Sequence, residues 1–463
     1  MTTDTAIAFE VPSGYTLVVG LGISGQAIAR HLHRQGVPFV VVDSRDQPPG
    51  EADFRKDFPG IALYCGALDK VDMQAAVDVI VSPGVDPHQP ALAQAKQRLK
   101  GELELFKRAL PTDARVIAIT GSNAKSTVTT LVGDMARAAG IDAGVGGNLG
   151  TPALTLLEQG HDLYVLELSS FQLESVEALA PDVACFLNLS EDHLDRHGDM
   201  AGYARAKQRI FEGAAVAVIN ADDRATWPGL PVSRKVAFTT HSPALNEWGI
   251  QRDGNVSWLA HGNERWIDTR ELRLAGLHNQ ANVLAALAIG NSLGWPREKM
   301  LETIRGFSGL PHRMEYVGSL DGVSYINDSK GTNVGASLAA IEGLAPVLEG
   351  RILWLGGGVG KGADFTPLAA PLAKSARGAF LFGRDRGLLT KALAVALPCE
   401  EVQDMEQALE CARTMAAPGD VVLLSPACAS LDQFPNYQAR GDAFRRWFSC
   451  QDDKNTSVGK EQQ

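Results

Sequence analysis

Residues Ile117 to Thr130 read IAITGSNAKSTVTT, and no other stretch restricts the possible folds of this chain as much. The β-branched residues Val116, Ile117 and Ile119 predict a buried strand. Thr120, Gly121, Ser122 and Asn123 then predict a tight loop, and Lys125-Ser126-Thr127 opens a helical pattern that ends near Ala139-Gly140. Such a strand, loop and helix start can cradle a nucleoside triphosphate. Loop amides and the helix N-terminus face the phosphate oxygens, the lysine offsets their charge, and a hydroxyl reaches Mg2+. The strict phosphate-loop pattern fails twice, because Ile119 and Ala124 stand where glycines are usual. A plain strand-to-helix turn capped by Ser122 or Asn123 is the competing reading of this segment alone.

A second nucleotide-like unit lies upstream. TLVVGLGISGQAIARHLHRQGVPFVVVDSR, from Thr16, reads as strand, Gly-rich turn, helix, strand and acid. Gly20-Leu21-Gly22-Ile23-Ser24-Gly25 matches GxGxxG, and Asp43-Ser44-Arg45 follows the next strand. The glycines let a phosphate-bearing group approach a helix start, and the acid suits a ribose-like hydroxyl, so NAD and a UDP-sugar both satisfy the pattern. VDVIVSPGV (77–85) is a further strand, and its Ser82-Pro83-Gly84 turn is as consistent with chain reversal as with ligand contact.

Downstream of the phosphate loop, strands and helices alternate. LYVLELSSFQLE (163–174) reads as a strand carrying Glu167 at its end, the strand at 183 runs into SEDHLDRHG, and YARAKQRIF (203–211) predicts a helix. Glu167 could hold Mg2+, His193 a second cation, and Lys207 could act beside them. Each alone reads more simply as a surface acid, a loop histidine or a solvated basic face. From about residue 310 a third block begins, with strand-end loops at Asp328-Ser329-Lys330, at GGGVGK (356–361) and at SPACASLDQF (425–434). Alternating strands and helices predict parallel α/β sheets with polar clusters beyond the strands' carboxyl ends. We therefore expect three α/β domains: Rossmann-like over 1–104, P-loop ATPase-like over 105–309 and Rossmann-like over 310–450, with a polar, disordered tail at 451–463.

Composition narrows the function. With 463 residues and a net charge of −11, the chain has no Lys/Arg-rich block, which argues against a nucleic-acid partner. No apolar run reaches the length of a membrane span. The N-terminus lacks a signal-peptide pattern, and the six cysteines are scattered without a CxxC pair, so a cytoplasmic protein with reduced thiols is expected.

Taken in order, GLGISG with Asp43-Ser44-Arg45, ITGSNAKSTVTTLVGDM, GVGGNLGTPAL, LELSSFQLE, NLSEDHLDRHG, YARAKQRIF, GLHNQANVLAALA, GLPHRMEYV, INDSKGTNVGAS and LLSPACASLDQF resemble the Mur ligase family over residues 16 to 445. The resemblance implies an ATP- and Mg2+-dependent amide ligase, with two metal sites, that adds D-glutamate to UDP-N-acetylmuramoyl-L-alanine through an acyl phosphate. A sister ligase adding L-glutamate or another amino acid is the alternative. It implies that Gly22, Ile23, Ser24, Asp43, Ser44, Arg45, Ser82, Gly84 and Asn148 hold the UDP substrate. It assigns the nucleotide to residues Gly121, Ser122, Asn123, Ala124, Lys125, Ser126, Thr127, Asn279, Asn282, Arg313 and Asp328. Lys125, Glu167, His193 and Lys207 would be catalytic. Ser126, Thr127, Glu167, His193 and a carbamylated Lys207 would be metal ligands. Lys330, Thr332, Lys361, Ser430, Leu431 and Tyr437 would hold the glutamate. The extra methyl of Ala124 suits a loop in which φ stays negative, and activity is expected to survive it. GGGVGK lacks an acid expected before its Gly-Lys and runs one residue long, which leaves the register of the glutamate loop open. A dehydrogenase would leave the Lys-Ser loop unexplained, and a P-loop switch would leave the third block without a role. A monomer acting on small molecules is expected.

Overall fold

The computed structural model describes residues 7–460 apart from 255, 275, 346 and 347. The chain divides into two compact units, one of residues 1–267 with 282–304 and the other of residues 268–281 with 305–463.

The first unit holds two principal sheets. One is five-stranded and parallel, in the order Leu63–Cys65, Phe39–Asp43, Thr16–Val19, Val79–Val81, Leu99–Gly101. Its strands are β-branched and buried on both faces, as a parallel sheet requires. Val18, Val41 and Ile80 face one core, and Leu17, Val19, Val40, Val42, Val79 and Val81 face the other. The other sheet is nine-stranded, with Arg115–Thr120 between Val183–Phe186 and Leu163–Glu167, and Ala143–Gly147 at one edge. These strands run parallel, so Thr120 and Glu167 emerge at the same end of the sheet. At the far side Glu247–Asp253 pairs antiparallel with Val256–His261. Helix Glu102–Ala109 occupies the segment expected as a domain boundary, with Leu103, Leu105 and Phe106 in the core shared with the neighbouring strands.

The second unit is a six-stranded sheet in the order Glu315–Leu320, Val323–Asn327, Val421–Leu424, Ile352–Gly357, Ala376–Phe382, Cys399–Glu401. Its first pair is antiparallel and the rest are parallel. Alternating residues bury both faces: Trp354, Leu381 and Leu423 on one side, Leu353, Phe380 and Val422 on the other. Three adjacent strands, ending at Asn327, Leu424 and Gly357, release their loops at one edge. The last helix runs from Tyr437 to Lys460.

Candidate functional site

The phosphate loop forms as the pattern requires. Strand Arg115–Thr120 ends, and after residues 121–124 helix Lys125–Ala138 begins. Lys125 Nζ folds back onto the carbonyls of Gly121 (2.7 Å) and Ser122 (3.0 Å). Asn188 and Ser190, in the NLSEDH segment, brace the loop: Asn188 Oδ1 accepts from the Asn123 amide at 2.9 Å, and Ser190 Oγ accepts from Asn123 Nδ2 at 3.2 Å. Ala124 departs from expectation. It takes a left-handed conformation, φ +63°, as the residue before the helix, and no side chain caps that helix end. Glycine reaches this conformation without a Cβ clash, and alanine does not.

Glu167 is buried and held from both sides. Ser126 Oγ donates to its Oε2, and Asn148 Nδ2 donates to its Oε1 at 2.7 Å. Lys207 lies on helix Met200–Gln208, whose start is capped by Asp199. It is not on a solvated face. It is 1% exposed, its Nζ donates to the Gly121 carbonyl at 2.8 Å, and it sits 4.9 Å from the Tyr203 ring centre. Burial, then the Lys125 charge, push its ammonium well below the usual range, against the pull of Asp192 and Glu167. His193 is left-handed at φ +54°, and its ring lies 4.8 Å from that of Phe171. Lys125, Ser126, Glu167 and Lys207 thus converge around Thr120-Gly121, with Asp192 and His193 in the loop leading to the Lys207 helix. Tyr203, whose Oη lies 3.4 Å from Ser122 Oγ, and Asn188 belong to this cluster and were not anticipated. Their only signal is position: Asn188 lies two residues past a strand end, and Tyr203 one helical turn before Lys207.

A cavity of about 510 Å³ lies in the same unit. Gly22, Ile23, Ser24, Asp43, Ser44, Arg45, Ser82, Gly84 and Asn148 all line it, together with Gly147, Gly150, Pro152 and Gln172. The Gly-rich turn is locked from below. Gly20, at φ +94°, accepts the Ser82 hydroxyl on its carbonyl at 2.9 Å, so the Ser82-Pro83-Gly84 turn is part of the cavity wall. Asp43 is engaged within the protein. Its carboxylate accepts from the Leu21 amide at 2.7 Å and from Arg45 at 2.8 and 2.7 Å. Burial pushes this carboxyl up, but the Arg45 and Leu21 hydrogen bonds outweigh it and hold it below the usual range.

In the second unit the three strand-end loops carry the remaining candidates. Lys330 Nζ stands 4.1 Å over the Tyr437 ring. Ser430 is buried and Leu431 is exposed. Val359 and Ala429 exchange backbone hydrogen bonds of 2.8 and 2.9 Å, which ties the Lys361 loop to the Ser430 loop. In the GGGVGK loop the Gly360 amide donates to Asp385 Oδ2, in a neighbouring turn, at 2.7 Å. Thr332 follows Lys330, its amide donating to the Lys330 carbonyl at 2.7 Å. Asp328 is buried and accepts from Ser425 Oγ at 2.7 Å, and burial pushes its carboxyl up to about 7. Asn279 and Arg313 also belong to this unit, whereas Asn282 belongs to the first.

Family models match three successive segments of the chain. "Mur ligase MurD-like, N-terminal domain" matches residues 14–100, "Mur ligase middle domain" residues 119–290, and "Mur ligase, glutamate ligase domain" residues 312–428. The UDP-N-acetylmuramoylalanine–D-glutamate ligase of Chromohalobacter salexigens is 56% identical over 448 residues, covering 95% of this chain and 98% of that one. The ligase of the same name from Pseudomonas aeruginosa is 47% identical, covering 93% of this chain and 97% of its own length. Among solved structures, UDP-N-acetylmuramate-alanine ligase MurC from Thermotoga maritima superposes with a TM-score of 0.58 at 19% identity, over 94% of this chain and 99% of that one. MurF from Acinetobacter baumannii gives 0.58 at 18% identity, over 90% of each chain. These two structures share the fold.

Proposed function

The chain belongs to the Mur ligase family, and on that premise we propose that it uses ATP to join D-glutamate to UDP-N-acetylmuramoyl-L-alanine in peptidoglycan precursor synthesis. The observation that carries this reading is Asn148. It lines the cavity and donates to Glu167, which also accepts from Ser126 of the phosphate loop. A UDP substrate seated in the cavity would bring its far end, the alanyl carboxylate, to the phosphate loop. That carboxylate attacks the γ-phosphorus of ATP, and the bond to the ADP oxygen breaks. The amine of D-glutamate then attacks the acyl phosphate carbon, loses a proton, and the tetrahedral intermediate expels phosphate to leave the amide.

Lys125 and the loop amides offset the charge that builds on the transferring group. The donors present suit Mg2+, which takes one or two carboxylates and leaves its other positions to phosphates and water. Ser126, Thr127 and Glu167 would hold one ion, and His193 with a carbamylated Lys207 a second. When bound, Mg2+ supplies positive charge to the phosphate oxygens. In the second unit Lys330, Thr332, Lys361, Ser430, Leu431 and Tyr437 would receive glutamate, whose two carboxylates call for cations and hydroxyls. The nucleotide role of Asn279, Asn282, Arg313 and Asp328 rests on the resemblance. The domain boundaries near 104 and 309, a monomeric state and a cytoplasmic site belong to the same proposal. Among the described residues no helix is long and apolar enough to cross a membrane.

Phosphate release with ATP, Mg2+ and UDP-N-acetylmuramoyl-L-alanine tests the proposal. Release that depends on D-glutamate supports it. Release with L-glutamate only keeps the chemistry and changes the substrate, and no release from folded protein overturns it.

A further inference from the structure

Arg440 lies in the first turn of helix Tyr437–Lys460 and is 0% exposed. A side chain so polar is rarely enclosed unless its donors are used. Here Nε donates to Ser329 Oγ at 2.9 Å, Nη2 to the carbonyls of Ser329 at 2.8 Å and Cys428 at 3.1 Å, and Nη1 to the Gly357 carbonyl at 3.4 Å. Those acceptors sit on or just past the ends of three adjacent parallel strands, Val323–Asn327, Val421–Leu424 and Ile352–Gly357. Each of these loops carries a residue assigned above to the incoming amino acid: Lys330, Ser430 and Lys361. A further bond ties in the helix start, because Ser329 Oγ also donates to the Tyr437 carbonyl at 2.8 Å.

We infer that Arg440 is a positioning residue for the amino-acid site, its guanidinium fixing the spacing of the Lys330, Lys361 and Ser430 loops; this rests on the function proposed above. The planar fork of donors suits the task, since one rigid group spans acceptors from three loops, which a lysine's single ammonium does less well. Every acceptor is neutral, and among the described residues no carboxylate lies within ion-pairing distance of Arg440. Burial opposes its charge more than Asp432 and Asp328 support it, so packing by itself gives little reason for an arginine here. Burial lowers its pKa to about 10, which leaves it charged at neutral pH. Asp328 and Ser425 bind each other beside this clamp and do not replace it.

The test uses the full chain with Arg440→Gln, Arg440→Lys and Ser329→Ala, reading phosphate release while each substrate is varied in turn. The inference expects KM for D-glutamate to rise about tenfold or more in Arg440→Gln, with a smaller rise in Arg440→Lys. KM for the UDP substrate should change by less than about twofold. Ser329→Ala removes one acceptor and the Tyr437 tie while keeping the backbone acceptors. It should raise the same KM by a few-fold, and it decides the matter if the arginine variants do not fold. Equal rises in every KM, or a fall in kcat with the D-glutamate KM unchanged, would overturn the inference and leave Arg440 a general packing residue. A wild-type chain that releases no phosphate with any amino acid sinks the proposed function and this inference together. An active wild type with unaltered variants sinks the inference alone.

Discussion

At the scale of single residues, Ala124 and Asn148 make the sharpest claims. Ala124 holds φ +63°, a conformation that burdens any residue with a Cβ by about 1–2 kcal/mol. Ala124→Gly removes that burden but gives the unfolded chain more freedom, so the net gain should be about 0.5–1 kcal/mol. Ala124→Val should instead lose about 1–3 kcal/mol, because a β-branched residue fits this conformation worst. Thermal melts of the two variants check the ordering, and a melting temperature lowered by glycine would remove strain as the account of this position. Asn148 touches both the cavity and Glu167. Asn148→Leu keeps the approximate size and deletes the hydrogen bond to a buried carboxylate. Steady-state kinetics should show kcat/KM for the UDP substrate falling about 10²-fold. An unchanged value would disconnect the cavity from the phosphate loop.

At the scale of elements, the sequence was readable where local chemistry and fold agree. The strand-loop-helix around Lys125 and the Gly20–Gly25 turn announce themselves through β-branched runs broken by small residues. Conformation and burial were less legible. Ala124 could not reveal its φ, because the loop's geometry sets it against the residue's preference. Lys207 between Arg205 and Arg209 looks like a solvated basic face, yet the packing of helix Met200–Gln208 encloses it. Arg440 in QARGDAFRRWF gives no hint that it is buried, since its partners, a hydroxyl and three carbonyls, come from three separate loops. Helix Leu277–Ser292 hides a similar case in His278. Its Nδ1 finds no partner among the described residues, and burial holds its pKa down near 4, against 6.5 for the free side chain. The unfolded chain therefore binds this proton more tightly than the folded one. Stability is full above about pH 6.5 and is lost as the pH falls toward 4, by at most about 3 kcal/mol. Urea midpoints at pH 7.5 and 5.0 should lie closer together in His278→Asn than in the wild type, and an equal gap would show that other groups carry the acid sensitivity.

At the scale of the whole molecule, the division of the chain into two units sets the pattern of unfolding. The cores around Trp354 and Phe380 are made only of second-unit residues, and those around Val18 and Val19 only of first-unit residues. Separate cores of this size unfold as separate cooperative blocks unless the contact between them is large and apolar. Leu423 is fully buried in one of the second-unit cores, so Leu423→Ala should remove about 2–5 kcal/mol from that block. Calorimetry should resolve more than one transition. The substitution should lower only one of them, by about 2–4 °C for each kcal/mol lost. The UDP substrate should raise the other transition, since the cavity proposed for it is built from first-unit residues alone and a ligand stabilises the block that binds it. A single transition that moves under both perturbations would mean that the chain folds as one block. The loops proposed for glutamate would then be coupled to the cavity through the protein itself, rather than through the substrates proposed to bind to each.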